Sequence, residues 1–206
     1  MITYMSDILC ITSRGLCQED FLVRVEKIAK AQPRGIILRE KALSSEEYEA
    51  LAKQVLAICE KYKTACVLHQ FADVAKELNA KAIHLPLTVL RTLKEEERCF
   101  FSVLGASCHS TEEAIEAQKL GCTYIIAGHI FETDCKKGLP GRGLEFLQEV
   151  CKNVSIPVYA IGGIHVGNVE KVRRAGASGA CIMSGIMTCE NPKEYLSDLK
   201  VKGGKS

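Results

Sequence analysis

Short apolar segments recur along the whole chain at a spacing of about 25 residues, and this repeat limits the fold more than any other feature. Each segment has the length and the apolar composition of a buried strand. Segments with helical periodicity separate most of them, which is the pattern of β-α units that build a parallel sheet. The eight predicted strands are residues 8–12, 35–38, 64–68, 82–85, 101–105, 124–127, 157–161 and 179–183.

The intervening segments carry residues that begin and end helices. In the clearest of them, residues 44–61, Ser44 and Glu47 form a capping-box pattern and apolar side chains recur on one helical face. A second helix is predicted over residues 110–120, and the last begins at Asn191. The weakest helical patterns lie around residues 88–93 and 169–175.

Eight β-α units predict a single (β/α)8 TIM barrel domain over residues 1–206. The alternative is a doubly wound open sheet. No Gly-x-Gly-x-x-Gly follows the first strand, so the usual signature of a dinucleotide-binding sheet is missing. In a barrel, the loops that follow the strands share one face, and their side chains converge there.

The composition predicts a small-molecule ligand rather than a polymer. Of the 206 residues, 47% are hydrophobic, and 27 basic residues are interspersed with 25 acidic ones for a net charge of +2. No polycationic face for nucleic acid or an anionic membrane is therefore expected. The apolar runs are far shorter than the ~20 residues of a membrane helix, and the first residues lack a signal-peptide pattern. We expect a cytoplasmic protein and leave its oligomeric state open, a homo-oligomer included.

The chain contains eleven cysteines and no Cys-x-x-Cys pair. Cys10, Cys66 and Cys181 lie in apolar strand segments, where cysteine acts as a small hydrophobic residue. Free thiols are expected. Cys135 differs because it lies beside Lys136 in a charged loop, where a cation would lower its pKa.

Ionisable side chains concentrate in the loop after the sixth predicted strand. Binding residues often lie on loops that a rigid scaffold holds in place, so this loop is the first candidate for a functional site. It contains His129, Glu132, Thr133, Asp134, Lys136, Lys137 and Arg142. The ends of the other strands supply further polar residues for a mostly cationic mouth, namely Thr12, Arg14, Arg39, Lys41, His69, Gln70, His84, Ser107 and His109.

The last two predicted strands end in small residues. Gly162 and Gly163 follow the seventh strand, and Met183, Ser184 and Gly185 follow the eighth. Barrels frequently bind phosphate with the backbone N–H groups of these two loops. The sequence therefore predicts a phosphate monoester ligand.

Several segments together resemble the successive motifs of the thiamin phosphate synthase and TenI-like superfamily along essentially the whole chain. The resemblance implies a (β/α)8 barrel that binds a thiazole phosphate through backbone amides at Gly162, Gly163, Met183 and Ser184. The segments are CITSRG, ILREK, GASCH, AGHIFETDCKKG, IPVYAIGGI and AGASGACIMSGI.

The synthase branch of this superfamily joins a pyrimidine diphosphate to a thiazole phosphate with bound magnesium. Its pattern has Asn-Asp after the third strand and Gly-Gln-x-Asp after the fourth, whereas this chain has His69-Gln70 and residues 86–89, Pro-Leu-Thr-Val. Both carboxylates that the hard magnesium ion favours are missing. We therefore expect no metal and no cofactor, with magnesium only if the protein is a synthase. Arg39, Lys41 and Lys136 match basic residues that contact the diphosphate.

The sixth loop resembles the TenI-like branch, because His129 replaces a proline that is typical of synthases. The resemblance implies a thiazole tautomerase, an isomerase in which His129 moves a proton during aromatisation of a thiazole carboxylate phosphate. Imidazole suits this role near neutral pH. Arg39, Lys41, Ser107, Thr133 and Lys136 are then expected to bind substrate.

Three alternatives stay open. The first is a thiamin phosphate synthase whose metal site is altered and uses Glu132 or Asp134. The second is an aldolase with Lys136 as a Schiff-base nucleophile, although a charged loop is a poor place to desolvate an ammonium group. The third is a non-catalytic regulator that binds thiazole phosphate.

Overall fold

A computed structural model of the chain describes residues 7–133 and 138–200. Eight parallel strands form a closed barrel in sequence order, and β8 pairs with β1. The barrel prediction is confirmed, and the open-sheet alternative is wrong. The strands are β1 (Ile8–Ile11), β2 (Gly35–Leu38), β3 (Cys66–His69), β4 (Ala82–Pro86), β5 (Val103–Cys108), β6 (Tyr124–Gly128), β7 (Val158–Ile161) and β8 (Gly179–Ile182).

Helices pack around the outside of the barrel. Their bounds are α1 (Phe21–Lys30), α2 (Ser45–Lys61), α3 (Ala72–Glu77), α4 (Leu87–Leu90), α5 (Glu95–Cys99), α6 (Thr111–Lys119), α7 (Gly143–Asn153), α8 (Val169–Arg174), α9 (Ser184–Thr188) and α10 (Pro192–Leu199). The weak helical pattern predicted around residues 88–93 coincides in part with α4, which ends before a second short helix, α5, begins.

The helix ends follow the predicted capping residues. Ser44 and Glu47 form the capping box of α2, each side chain accepting from the other residue's backbone N–H. Ser110 caps α6 by accepting from the N–H of Glu113. Glu113 itself accepts from the backbone N–H of His109, so its carboxylate is fixed at the end of β5. Local sequence therefore sets both helix starts.

The apolar residues form two separate layers because the side chains of a strand alternate between its two faces. The larger layer lies between the strands and the helices. The smaller layer fills the barrel interior with Leu9, Ile11, Ile37, Val67, Tyr124, Ile126, Tyr159 and Cys181. This layer fills the barrel interior, and the space at the carboxyl ends of the strands is left for a ligand.

The described cysteines are all free thiols, in agreement with the prediction. Burial raises the pKa of Cys108 and Cys122 to about 12, so these thiols stay protonated. Cys135 lies outside the described residues. Within residues 7–133 and 138–200, no helix has the length and apolar character needed to cross a membrane.

Candidate active site

A cavity of about 460 Å³ opens at the carboxyl ends of the strands. Its volume lies within the range of small-ligand sites. Most residues predicted for the site line this cavity, whereas Lys136 lies outside the described residues. The lining includes Arg39, Lys41, His69, His84, Ser107, His109, His129, Thr133, Gly162, Gly163, Met183 and Ser184.

Thr12, Arg14 and Gln70 were predicted to face the mouth, and they do not line the cavity. The hydroxyl of Thr12 donates to the buried Glu40 carboxylate at 2.8 Å and accepts from the backbone N–H of Arg39 at 2.9 Å. Glu40 also accepts from the N–H of Arg14 at 3.1 Å. Thr12 and Glu40 therefore connect the ends of β1 and β2 and fix the backbone that carries Arg39.

Arg39 and Lys41 line the same cavity as the loops that are predicted to bind phosphate. Nη1 of Arg39 lies 4.0 Å from Sδ of Met183, so the end of β2 reaches the loop after β8. Lys41 lies close enough to His69 and His84 to lower the pKa of each. Arg39 thus reaches the loop predicted to bind phosphate, whereas Lys41 acts on the histidines at the ends of β3 and β4.

The histidines at the ends of β3 and β4 are buried and neutral. Burial, followed by His84 and the charges of Lys41 and Arg39, lowers the pKa of His69 to about 2. Burial, followed by Lys41, lowers the pKa of His84 to about 3. The positive charge of the cavity wall therefore comes from Arg39, Lys41 and Arg91 and not from these imidazoles.

His84 belongs to a chain of hydrogen bonds that runs from the barrel interior to the cavity. Its Nδ1 lies 3.1 Å from the hydroxyl oxygen of Tyr124, and its Nε2 lies 2.8 Å from Oγ of Ser107. Sequence reasoning missed Tyr124, which lies in an apolar run. The period-2 alternation of β6 predicts that Tyr124 faces the barrel interior. No local pattern predicts its hydrogen bond to His84, which lies 40 residues away in the sequence.

His129 lies on the cavity wall with 7% of its surface exposed. Its Nε2 lies 3.3 Å from the carbonyl oxygen of Leu139. Its Nδ1 is buried and has no hydrogen-bond partner among the described residues. The peptide bond between Gly128 and His129 is cis. A buried imidazole nitrogen without a protein partner in a cavity wall is suited to contact a ligand.

Gly162, which follows β7, has no room for a side chain because His129 packs against it. Gly162 has a φ of +101°, and a Cβ placed there would lie 2.3 Å from Cβ of His129. Its carbonyl accepts from the N–H of Phe131 at 3.1 Å, and the Ile161 carbonyl accepts from Ile130 at 2.8 Å. These contacts hold the β6 loop against the β7 loop and so position His129.

The same loops present unused backbone donors. Among the described residues, the N–H groups of Gly162, Gly163 and Ser184 have no protein acceptor. All three residues line the cavity. Their donors favour an anionic ligand group at this edge of the site.

The described residues do not fit a magnesium site at the family's positions. The end of β3 carries an imidazole and an amide at His69 and Gln70, and residues 86–89 carry no carboxylate. In residues 7–133 and 138–200, no group of three or more His, Cys, Asp or Glu side chains could hold a metal ion. Among the described residues, Glu113 is the one carboxylate that lines the cavity, and it already accepts from the backbone N–H of His109. Glu132 is exposed and does not line the cavity, and Asp134 lies outside the described residues.

Comparison with known proteins identifies the family. The model of the thiamine monophosphate synthase family (TMP-TENI) matches residues 8–186, which covers all eight strands. The chain belongs to this family. Its barrel also resembles the solved thiamine phosphate pyrophosphorylase from Pyrococcus furiosus, with a TM-score of 0.80, 28% identity, and coverage of 93% of this chain and 92% of that one. The comparisons support an enzyme of thiamine biosynthesis.

Relatives in the family correct the predicted activity. The chain is 34% identical to thiamine-phosphate synthase of Clostridium tetani over 79% of this chain and 78% of the relative. It is 33% identical to thiamine-phosphate synthase of Clostridium botulinum over 94% of this chain and 92% of the relative. The prediction of a thiazole tautomerase, and hence of an isomerase, is wrong because these similarities, which cover most of each chain, are to synthases, which are transferases.

Proposed function

We propose that the protein is a thiamin phosphate synthase, a transferase that joins a pyrimidine diphosphate to a thiazole phosphate. The observation that carries the proposal is the presence of two different anion-binding groups in one cavity, within a family whose relatives are named synthases. A reaction between two phosphorylated substrates needs both groups.

The thiazole phosphate is assigned to the loops after β7 and β8. Backbone N–H groups of Gly162, Gly163 and Ser184 supply donors that no described protein group uses. Met183 lies at the same edge and contributes its backbone. Backbone donors carry no charge that must be desolvated, so they suit a phosphate monoester that is bound and later released as part of the product.

The diphosphate is assigned to Arg39 and Lys41. Coupling breaks the bond between the pyrimidine's methylene carbon and the diphosphate oxygen, and the thiazole nitrogen takes the place of that oxygen. Negative charge therefore accumulates on the leaving diphosphate. Two fixed cations stabilise this charge most strongly where water is partly excluded. Lys136, predicted to take part, lies outside the described residues.

Three other cavity residues are proposed to contact the substrates. His129 lines the cavity and has a buried Nδ1 without a hydrogen-bond partner among the described residues. Ser107 and Thr133 place hydroxyl groups on the cavity wall. We assign these residues to orienting the two rings so that the reacting atoms face each other.

No step of the reaction is assigned to magnesium, because the described donor set does not fit it. Arg39 and Lys41, which line the cavity, are instead proposed to stabilise the negative charge of the leaving diphosphate.

The test is to incubate the purified protein with both substrates and to measure diphosphate release and the coupled product. One series contains magnesium and the other contains a chelator. We expect product in both series, and we expect Arg39→Ala to reduce its rate. The absence of coupled product in both series would overturn the proposed function.

A further inference from the structure

The chain of hydrogen bonds from Tyr124 through His84 to Ser107 has a direction. The geometry points to Tyr124 as a positioning residue that acts through His84 to aim the hydroxyl hydrogen of Ser107 into the cavity. The position opposite Ser107 then takes a hydrogen-bond acceptor of the substrate, either a ring nitrogen with a lone pair or an anionic oxygen. The inference deepens the proposed function at the same site and rests on that function only for the identity of the substrate.

The first step is the donor role of Tyr124. Its hydroxyl is buried in the barrel interior, and burial raises its pKa well above the ordinary value, so it keeps its proton. In the described part of the chain, Nδ1 of His84, at 3.1 Å, is the acceptor within its reach. A buried phenol hydrogen without an acceptor would be unfavourable, because the group has lost its hydrogen bonds to water. Tyr124 therefore donates to Nδ1.

The second step follows from the charge of His84. A neutral imidazole has one N–H, and the other nitrogen is an acceptor. Because Nδ1 accepts from Tyr124, the hydrogen of His84 lies on Nε2. Nε2 is 2.8 Å from Oγ of Ser107 and donates to it.

The third step concerns Ser107. With its oxygen accepting from His84, the hydroxyl hydrogen of Ser107 is left to donate elsewhere. Ser107 lines the cavity, so a ligand in the cavity is within its range. The opposite direction of the chain would make Ser107 an acceptor toward the ligand and leave the hydrogen of Tyr124 without a described acceptor. The first direction therefore favours a hydrogen-bond acceptor on the ligand, and the opposite direction favours a hydrogen-bond donor.

The ring of Tyr124 fits at this position because Gly105 on β5 has no side chain. A Cβ at Gly105 would lie 2.2 Å from Cζ of Tyr124 and 2.5 Å from its hydroxyl oxygen. Gly105 on β5 thus leaves the space that the ring fills. Tyr159 packs edge-on against the same ring, with 5.9 Å between the ring centroids. These contacts fix the hydroxyl of Tyr124 beside His84.

Tyr159→Phe is the matched control for Tyr124→Phe. Both tyrosines belong to the interior layer, and each substitution removes one hydroxyl group. The hydroxyl of Tyr159 bonds to Arg34, which is not part of the chain to Ser107. A general loss of barrel stability would affect the two variants alike, whereas the positioning role belongs to Tyr124.

The first measurement needs no substrate. Nitrogen NMR of ¹⁵N-histidine-labelled protein at pH 7.5, with His84 assigned from the spectrum of His84→Gln, reports which ring nitrogen carries the proton. We expect the Nε2–H tautomer in the wild type and in Tyr159→Phe. In Tyr124→Phe we expect the signals to shift toward a mixture of tautomers. A wild-type His84 that is cationic or that carries its proton on Nδ1 would overturn the inference.

The second measurement uses coupling of the two proposed substrates. Loss of one net hydrogen bond of about 1.4 kcal/mol predicts that Tyr124→Phe lowers kcat/KM about tenfold. Tyr159→Phe should change it less than about twofold. In a Ser107→Ala background, Tyr124→Phe should have no further effect, because both substitutions act on one donor. Additive effects, or equal effects of the two tyrosine variants, would contradict the inference.

The two measurements separate this inference from the proposed function. If the wild type forms no coupled product, the proposed function fails, and the tautomer of His84 still decides the role of Tyr124. If coupling proceeds and His84 has the other tautomer, the inference fails and the proposed function stands.

Discussion

The backbone N–H of His69 donates a 2.8 Å hydrogen bond to the hydroxyl oxygen of Tyr48. That hydroxyl in turn donates to the carbonyl oxygen of Leu38 at 2.7 Å. One buried side chain of α2 therefore connects the ends of β2 and β3, next to Arg39. The site depends on this contact because both strands deliver residues to the cavity.

Tyr48→Phe should lower the free energy of unfolding by about 2–4 kcal/mol, because it leaves the N–H of His69 and the carbonyl of Leu38 without their buried partner. Urea unfolding followed by circular dichroism measures the change. The control is Tyr62→Phe, whose hydroxyl contacts Glu26 at 2.5 Å on the protein surface. We expect this control to cost less than about 1 kcal/mol. Equal losses in the two variants would contradict the role of Tyr48.

Acid should destabilise the barrel through His69 and His84. Their pKa values of about 2 and about 3 lie below the ordinary value of histidine, so the unfolded chain binds more protons at moderately acidic pH. Stability is then complete above about pH 6.5 and falls as the pH drops toward the folded pKa values. Between pH 6.5 and pH 5, we expect a loss of about 2 kcal/mol for each histidine.

The loss is measured by urea unfolding across this pH range. His84→Gln should make stability depend less steeply on pH than it does in the wild type. Comparing the slopes removes the contribution of carboxylates, which also titrate in acid. The same slope for His84→Gln and the wild type would show that His84 is not held neutral.

Arg39→Ala and Lys41→Ala should each weaken binding of inorganic diphosphate about 10- to 100-fold, the size of a lost charge-assisted hydrogen bond. Isothermal titration calorimetry measures the affinity. Lys53→Ala is the control, because Lys53 is an exposed residue of α2 that pairs with Glu49 at 2.7 Å. Unchanged affinity in both cavity variants would place the diphosphate elsewhere.

Magnesium should not strengthen diphosphate binding. Free magnesium complexes diphosphate in solution and competes with Arg39 and Lys41 for it, so the apparent affinity should stay equal or fall when magnesium is added. Calorimetric titrations with magnesium and with a chelator make the comparison. Binding that disappears in the chelator would reveal a metal site that the described residues do not form.

Gly162→Ala should destabilise the protein by about 2–3 kcal/mol, because the new Cβ meets His129 and the positive φ is strained. Gly121→Ala is the matched control. Gly121 has a φ of +90°, and a Cβ there meets nothing within 4 Å, so only the backbone strain remains. The difference between the two variants measures how firmly the β7 loop holds His129. No difference would mean that the β6 loop shifts freely.

The barrel could be predicted from the sequence because its signals are local. The spacing of apolar runs identifies strands, and pairs such as Ser44 and Glu47 mark where helices begin. Chain order then determines which residues follow each strand, and a closed parallel barrel places those residues at one end. For this reason Arg39, His84, Ser107 and His129 could be named as neighbours before any distance was known.

The activity was harder to predict because it was judged from one loop and two missing carboxylates. Residues 8–186 as a whole match the synthase family, and His129 alone does not outweigh that similarity. Where Glu132 was considered as a replacement metal ligand, its side chain proved to be exposed and outside the cavity wall. Sequence position does not reveal which way a loop side chain faces.

The sequence by itself determined the repeat, the barrel and the set of side chains at its mouth, since these follow from periodicity and chain order. Only the tertiary structure decided what each side chain does there. Thr12 hydrogen-bonds to Glu40, and Tyr124 on β6 hydrogen-bonds to His84 on β4, with β5 between them. These partners lie 28 and 40 residues apart, and the pairing of neighbouring strands in the barrel brings them within hydrogen-bonding distance. Burial then sets the charge of His69 and His84, which no local pattern records.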